Sequence, residues 1–405
     1  MRQKTIFVTG ATGFLGGYIT RELLNAGFRL KLLVRGTTNS PAHERYSEIF
    51  PNHTPAAYVS GLLSSRLEII EGDITKCCLG LDTKEYIQLA ETVDEVFHCA
   101  AATKFNNDAF DTLTRANVSG AENIASFCYA GKLKRLHYIS TAYVAGKRRD
   151  MVFEEELDNG QEFNNTYEKS KFYAEKLVGI FATRCNIPTT VYRPSIIVGD
   201  SRSGYTKNHD NIYVFGKGLY RLKNYAMRKD NGGNRPICWN DTNHLPPMRI
   251  LGDKYGTINL IPIDYAARAI VAISRQAESI NKTFHIVNPS PPSLGELAEW
   301  TGVATGVSHT KIVDAYEFRK QPRTMVEKLF LQGTEAFQPY MFGEPDFDST
   351  NTRKLLIGTG IECPLITQEL INRFIQYGIA ANWGKIGSGL VFPCFATHEG
   401  LELHF

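Results

Sequence analysis

Tyr167 and Lys171 stand four residues apart in Asn165-Thr-Tyr167-Glu-Lys-Ser-Lys171. On a helix that spacing puts both side chains on one face. A free phenol titrates at about pH 10, and a neighbouring ammonium lowers that by roughly 1–3 units. The pair is therefore expected to let Tyr167 exchange a proton with a carbonyl oxygen near neutral pH. Asn165 is a fitting N-cap with Glu168 three residues on, and Phe-Tyr-Ala-Glu-Lys-Leu-Val continues the helix. A hydroxyl for the same oxygen is offered by Tyr138-Ile-Ser140-Thr141, at the carboxyl end of an expected strand, where open α/β sheets bind ligands. Each piece alone is weak. Y-x-x-x-K recurs by chance, and Ser140 and Thr141 fit local backbone bonding at a strand end equally well.

A third pattern precedes them in the chain. Thr9-Gly-Ala-Thr-Gly-Phe-Leu-Gly16 follows an apolar run directly and opens a helical pattern, with Leu15, Ile19 and Leu23 on one face and Gly27 as its stop. The glycines permit a tight turn and a close backbone approach to a pyrophosphate, and the helix start adds free N–H groups and partial positive charge. The candidate cofactor residues here are Gly10, Thr12, Gly13, Phe14, Leu15 and Gly16. The spacing is G-x-x-G-x-x-G, so its weight comes from the strand before it and the helix after it. Beyond the second strand no acid occurs between Glu22 and Glu44, while Arg35 offers a planar cation suited to a 2′-phosphate. An acid there is the usual mark of NAD, so NADP(H) is expected. Asp73 and Ile74, after the third strand, are candidates for the adenine edge, and an ordinary turn fits them as well.

These residues need elements to hold them. Apolar runs at 5–8, 30–34, 67–70, 96–100, 136–139 and 189–192 alternate with stretches long enough for helices. That alternation predicts an α/β fold, a Rossmann-type doubly wound parallel sheet. Residues 201–247 are rich in Asn, Gly, Lys and Arg with weak periodicity; 258–263 and 284–287 read as returning strands, and Ser293 to Glu296 as a capping box. The expected division is a cofactor domain over 1–200 with returning segments at about 256–290. A smaller, mostly helical substrate region would take 201–255 and 291–405.

Charged residues are 21% and net charge is +3, too mild a balance to argue for nucleic acid. The eight cysteines form no C-x-x-C pair and the histidines are scattered, which argues against a metal site or disulfide framework and for a reducing, cytoplasmic setting. No apolar run approaches the length of a membrane span. One local charge cluster stands out: Lys217, Arg221, Lys223, Arg228, Lys229 and Arg235 against the single acid Asp230. It is a candidate for meeting an anionic partner.

Together the glycine loop, Thr141, Tyr167 and Lys171 resemble the extended short-chain dehydrogenase/reductases. Val96-Phe-His-Cys-Ala-Ala-Ala-Thr-Lys-Phe105, Ala116-Asn-Val118, Ser140-Thr-Ala-Tyr-Val144, Tyr192-Arg-Pro-Ser-Ile-Ile-Val-Gly-Asp200 and Leu260-Ile-Pro-Ile-Asp-Tyr265 look like one branch, the thioester reductases and male-sterility fatty acyl-CoA reductases. The likeness covers about residues 4–290 and continues more weakly through 347–351 and 360–364. It implies that Thr141 binds the reacting oxygen, Tyr167 is the acid/base, and Lys171 holds the ribose and tunes Tyr167. It also implies cofactor contacts from Ala100, Ala101, Thr103, Asn117, Pro194, Ser195 and Ile197. The implied activity is NADPH-dependent reduction of an acyl thioester, on an acyl carrier protein or CoA, to aldehyde or alcohol. His98, beside this loop, reads as a structural histidine. Rival readings are a reductase of free carbonyls, a nucleotide-sugar epimerase, and a non-catalytic cofactor-binding regulator. Against the epimerase, the chain has Val144-Ala145-Gly146 where those enzymes have Val-Tyr-Gly. Against the regulator, all three catalytic residues are present.

Overall fold

The computed structural model describes residues 3–38, 40–50, 61–62, 65–103, 113–131, 133–227, 248–307 and 309–384. Seven parallel strands form the central sheet: β1 (Thr5–Thr9), β2 (Arg29–Val34), β3 (Leu67–Glu71), β4 (Glu95–His98), β5 (Arg135–Ile139), β6 (Thr189–Pro194) and the returning Thr283–Ile286. From one edge to the other the sequence order is Thr283–Ile286, β6, β5, β4, β1, β2, β3. The chain therefore reverses direction of travel across the sheet between β1 and β4, and the crevice above that point is where such sheets take ligands.

Both faces of the sheet are covered, which is why β1, β4 and β5 are buried along their whole length. On one face Ile6, Val8, Leu30, Leu32 and Phe284 pack with α1 (Phe14–Asn25) and the helix Ile263–Ser274. On the other, Phe7, Val96, Leu136 and Tyr138 pack under α2 (Thr83–Thr92), α3 (Gly120–Ala130) and α4 (Thr166–Arg184). Gly27, at φ +87°, ends α1: its N–H bonds Leu24 O, and Phe28 N–H reaches back to Leu23 O.

A third cluster gathers α5 (Ile212–Met227), the paired short strands β7 (Ile196–Val198) with β9 (Leu260–Pro262) and β8 (Met248–Leu251) with β11 (Thr310–Val313), α7 (Leu294–Thr305) and the helix Gln368–Ala380. Here β10 denotes the returning strand Thr283–Ile286, and α6 the helix Ile263–Ser274.

Several expectations are corrected at their edges. The fourth strand stops at His98, because Cys99 and Ala100 turn away to form the loop over the cleft. Ile263 opens α6 instead of ending a strand, since Pro262 fits the residue just outside a helix. The stretch after 293 includes β11, which pairs in parallel with β8. Within the weakly periodic 201–247, α5 runs sixteen residues. Its apolar face meets α7 and the C-terminal helix, so burial supplies what local pattern lacks.

Candidate active site

The glycine loop leaves β1 and enters α1 without a side-chain cap on Gly13, so the first N–H groups of the helix keep no side-chain partner. Gly10 sits at φ +76°, and a Cβ there would strike Ala100 N at 2.5 Å; one on Gly16 would strike Gly10 O at 2.1 Å. Among the described residues a Cβ on Gly13 would meet only Gly10 O, at 3.1 Å, and Gly13 lines the cleft. This is a backbone cradle for a pyrophosphate.

The cradle forms one end of a cavity of about 360 Å³ along the carboxyl ends of β1, β4, β5 and β6, a size suited to a small-molecule site. Gly10, Gly13, Phe14, Leu15, Gly16, Ala101, Thr103, Thr141, Tyr167, Lys171, Pro194, Ser195 and Ile197 line it. Thr12, Arg35, Asp73, Ile74, Ala100 and Asn117 do not.

Asn117 acts from behind the wall. It lies in a widened helical turn, Thr114–Ser119, leading into α3. Its side chain brackets the loop after β4, accepting from Ala102 N (2.8 Å) and donating to Ala102 O (3.0 Å), and also donates to Ser170 Oγ of α4 (2.9 Å). His98 is likewise structural as expected, with Nδ1 2.7 Å from Thr9 Oγ1. Ala100 backs onto Gly10, and Ile74 packs against Gly120.

At the centre, Asn165 caps α4 by accepting from Glu168 N at 2.9 Å. Tyr167 and Lys171 then face the cleft from the first turns of α4, and Thr141 from the end of β5. Lys171 Nζ donates to Ile139 O (2.8 Å) and Tyr138 OH (3.2 Å). Burial pulls its pKa down to about 8, against the opposing pull of Glu175.

Tyr167 departs from expectation. Burial pushes its phenol up to about 12, with the Thr141 hydroxyl pulling down and Glu168 pushing up. The expected ammonium effect is outweighed because Lys171 directs its hydrogen bonds to β5 and its charge is itself weakened by burial. Ser195 Oγ is buried in the lining without a hydrogen-bond partner among the described residues, a polar atom a ligand would satisfy.

Beneath this centre lies a polar network that sequence reading missed. Ser140 Oγ donates to Glu175 at 2.5 Å, and Glu175 pairs with Arg193, Nη2 to Oε1 2.5 Å. Arg193 also donates to Glu156 O at 2.7 Å. Glu175 lies on α4 and Arg193 on β6, so only the fold joins them.

At the 2′ end of the cradle Arg35 is exposed, with Asp73 4.0 Å away. The β2–β3 register sets Val34 beside Glu71, and the Glu71 carboxylate lies against Gly36. An acid is thus near the end of β2 after all, brought from the next strand. Of the basic cluster, Lys223 is occupied on Thr305 O at 3.2 Å, closing the end of α7. Arg228, Lys229, Asp230 and Arg235 lie outside the described residues.

The far end of the cleft is apolar. Phe215 and Leu219 of α5, Leu297 of α7, Ile312 of β11, and Phe337 and Met341 of the turn 335–342 wall it. Phe215 and Phe337 stand 5.7 Å apart, ring to ring.

Residues 8–270 match the family model described as male sterility protein. The chain belongs to that family, within the extended short-chain dehydrogenase/reductases. One component of the linear gramicidin synthase of Brevibacillus parabrevis is 26% identical over 396 residues, 92% of this chain and 7% of that protein. A carboxylic acid reductase of Mycobacterium tuberculosis is 26% identical over 80% of this chain and 28% of its own length. The chain thus spans under a third of these relatives. Among solved structures, the terminal R domain of the myxalamid PKS-NRPS pathway superposes with a TM-score of 0.74 at 27% identity, covering 94% of this chain and 91% of that one. The fold and family expected from the sequence are those found. Among the described residues no helix is long and apolar enough to cross a membrane.

Proposed function

We propose that this chain is an NADPH-dependent reductase of acyl thioesters, carried on an acyl carrier protein or CoA, giving the aldehyde or the alcohol. The observation that carries the reading is one cleft that joins the glycine cradle, the Thr141–Tyr167–Lys171 cluster and an apolar end fit for an acyl group. The similarity to a linear gramicidin synthase, a carboxylic acid reductase and a terminal R domain supports it.

The bound nicotinamide would supply the hydride. Thr141 and Tyr167 present hydroxyls where the carbonyl oxygen gathers negative charge. Tyr167 is a protonated phenol at neutral pH, since burial holds it near 12, and so it is poised to donate. The oxyanion left by hydride addition takes that proton. Collapse then breaks the C–S bond, the thiol leaves carrying that proton, and the Tyr167 phenolate regains one from solvent. Lys171, fixed on Ile139 O, is placed to hold the ribose and offset charge at Tyr167. Residues 1–200 with about 256–290 would serve the cofactor, and 201–255 with 291–405 the substrate, in a cytoplasmic enzyme.

For the cofactor, Arg35 favours NADP(H): it is exposed and pairs with Asp73 only at 4.0 Å, so its guanidinium can also meet a 2′-phosphate. Glu71 against Gly36 favours NAD(H), as an acceptor for a ribose hydroxyl. The ratio of kcat/KM with NADPH and NADH decides between them.

The test follows nicotinamide absorbance with acyl-CoA and acyl-carrier thioesters. Cofactor oxidation with release of free thiol, lost in Tyr167→Phe, is the expected result. Turnover of free carbonyls alone would overturn the thioester reading.

A further inference from the structure

Glu168 follows Tyr167 directly, yet its carboxylate has no exposure to solvent. Buried carboxylates need partners, and this one has several. Asn164 donates from its backbone N (2.8 Å) and its Nδ2 (3.2 Å), and the Tyr340 hydroxyl donates to Oε1. Tyr340 in turn accepts from Nδ2 of Asn165, the cap of α4, at 2.8 Å. Tyr340 comes from the turn 335–342, which also walls the apolar end, and it lines the cleft itself. One side chain thus touches both the acyl end and the first turn of the helix that bears Tyr167.

We propose that Glu168 and Tyr340 form a positioning pair for Tyr167: the carboxylate, held in place by the phenol of the C-terminal turn, keeps the proton on Tyr167 until the substrate oxygen takes it. Neither residue touches the reacting atoms. The pair deepens the reductase reading, resting on Tyr167 as proton donor.

The groups around them are few. Tyr340, Arg149, Tyr143 and Tyr167 face Glu168. Thr141, Glu168, Tyr138 and Tyr340 face Tyr167, and Lys171 lies one turn further along the same face of α4. Arg149 approaches from the far side, donating to Pro339 O at 3.4 Å, and Tyr143 is engaged with Glu344 at 2.6 Å. Burial pushes Glu168 up overall, and the Tyr340 hydroxyl and Asn164 oppose that rise, each favouring the charged form. That charge pushes Tyr167 up. Weakening either partner therefore frees the phenolate.

The experiment records rate against pH at saturating NADPH and substrate for wild type, Glu168→Gln, Tyr340→Phe and the double variant, with NADPH affinity measured on each. Reduction needs protonated Tyr167, so rate falls as pH rises through its titration. Glu168→Gln should move that alkaline limb down by about one pH unit, the effect of removing one adjacent like charge. Tyr340→Phe should move it the same way by less. The double variant should match Glu168→Gln, because Tyr340 acts through the carboxylate. Superimposable profiles in variants that bind NADPH normally overturn the proposal, and so does an additive double variant. If Glu168→Gln fails to bind NADPH, Tyr340→Phe decides alone. Full activity in Tyr167→Phe would sink the donor reading instead, and any accepted carbonyl serves if thioesters are not turned over.

Discussion

Around Thr141, Tyr167 and Lys171 the walls of the cleft come from the carboxyl ends of β1, β4, β5 and β6 and the first turns of α1 and α4. The far end takes its walls from α5, α7, β8, β11 and the turn 335–342. The near half is fixed by backbone and polar contacts: Gly10 against Ala100, Asn117 on Ala102, Lys171 on Ile139 O, Arg193 on Glu175. The far half is fixed by apolar side chains packed on one another. Hydrogen bonds specify geometry, while apolar packing specifies volume and tolerates exchange. Changes in the near half should therefore cost reaction rate or folding whatever the substrate. Changes in the far half should alter which substrate is taken.

The largest expected effect is in the near half. Tyr167→Phe should lower turnover by about a thousandfold, the scale of lost general acid catalysis, with NADPH affinity nearly unchanged by fluorescence titration. Equal loss of turnover and cofactor affinity would mean that Tyr167 holds the fold of the site instead. Next is the support beneath it. Arg193 and Glu175 side chains are 2% and 4% exposed. Arg193→Leu leaves Glu175 unpaired in the core and should cost about 3–5 kcal/mol in denaturant unfolding. A loss below about 1 kcal/mol would show the near half to be less rigid than its bonds imply.

Much of the near half was legible because its residues lie in short local patterns. Gly10 to Gly16 shows a strand, a turn and a helix start in one run, and Asn165 to Lys171 shows a cap and a helix face. Glu71 was not legible beside Gly36, because strand register brought it there. Neither was the Glu175–Arg193 pair, whose members look like an ordinary helical Glu and strand Arg. The bonds from Asn117 to Ala102 were not legible either, because only the fold brings that turn against the loop that lines the cleft. The far half was hardly legible at all. Phe215, Leu297, Ile312 and Phe337 share no local period, since they meet only after the chain has folded.

Two smaller effects sharpen the contrast. Arg35→Ala should cut the NADPH-to-NADH preference by about 10- to 100-fold, the scale of a charge-assisted bond to phosphate. An unchanged preference would hand the 2′ end to Glu71. In the far half, kcat/KM should rise about fourfold for each methylene added to a saturated acyl chain, until the end is full. Ala298 lines that end from α7, and Ala298→Trp should flatten the series with NADPH affinity unaltered. A series that is flat in the wild type would place the acyl group elsewhere.

The smallest effect separates the halves by pH. On the sheet, burial lowers His98 to about 3 and His137 to about 4. The unfolded chain then binds more protons than the folded one below the ordinary histidine range, so stability is full above about pH 6.5 and drains as pH falls. On the far side, burial raises Glu344 to about 8, although Tyr143 OH and Asn259 N–H pull it down. Here the folded chain binds the extra proton, so the contribution is full below the ordinary carboxylate range and is lost as pH rises through about 8. Tm should therefore peak between these limits, with His98, His137 and His285 (lowered to about 3) contributing the acid slope, and Glu344 together with Glu154 (raised to about 7) the alkaline one. Glu344→Gln keeps a hydrogen-bonding side chain without the titration. It should flatten the alkaline slope and leave the acid slope alone, and a Tm profile changed equally on both sides would show that the two halves do not titrate apart.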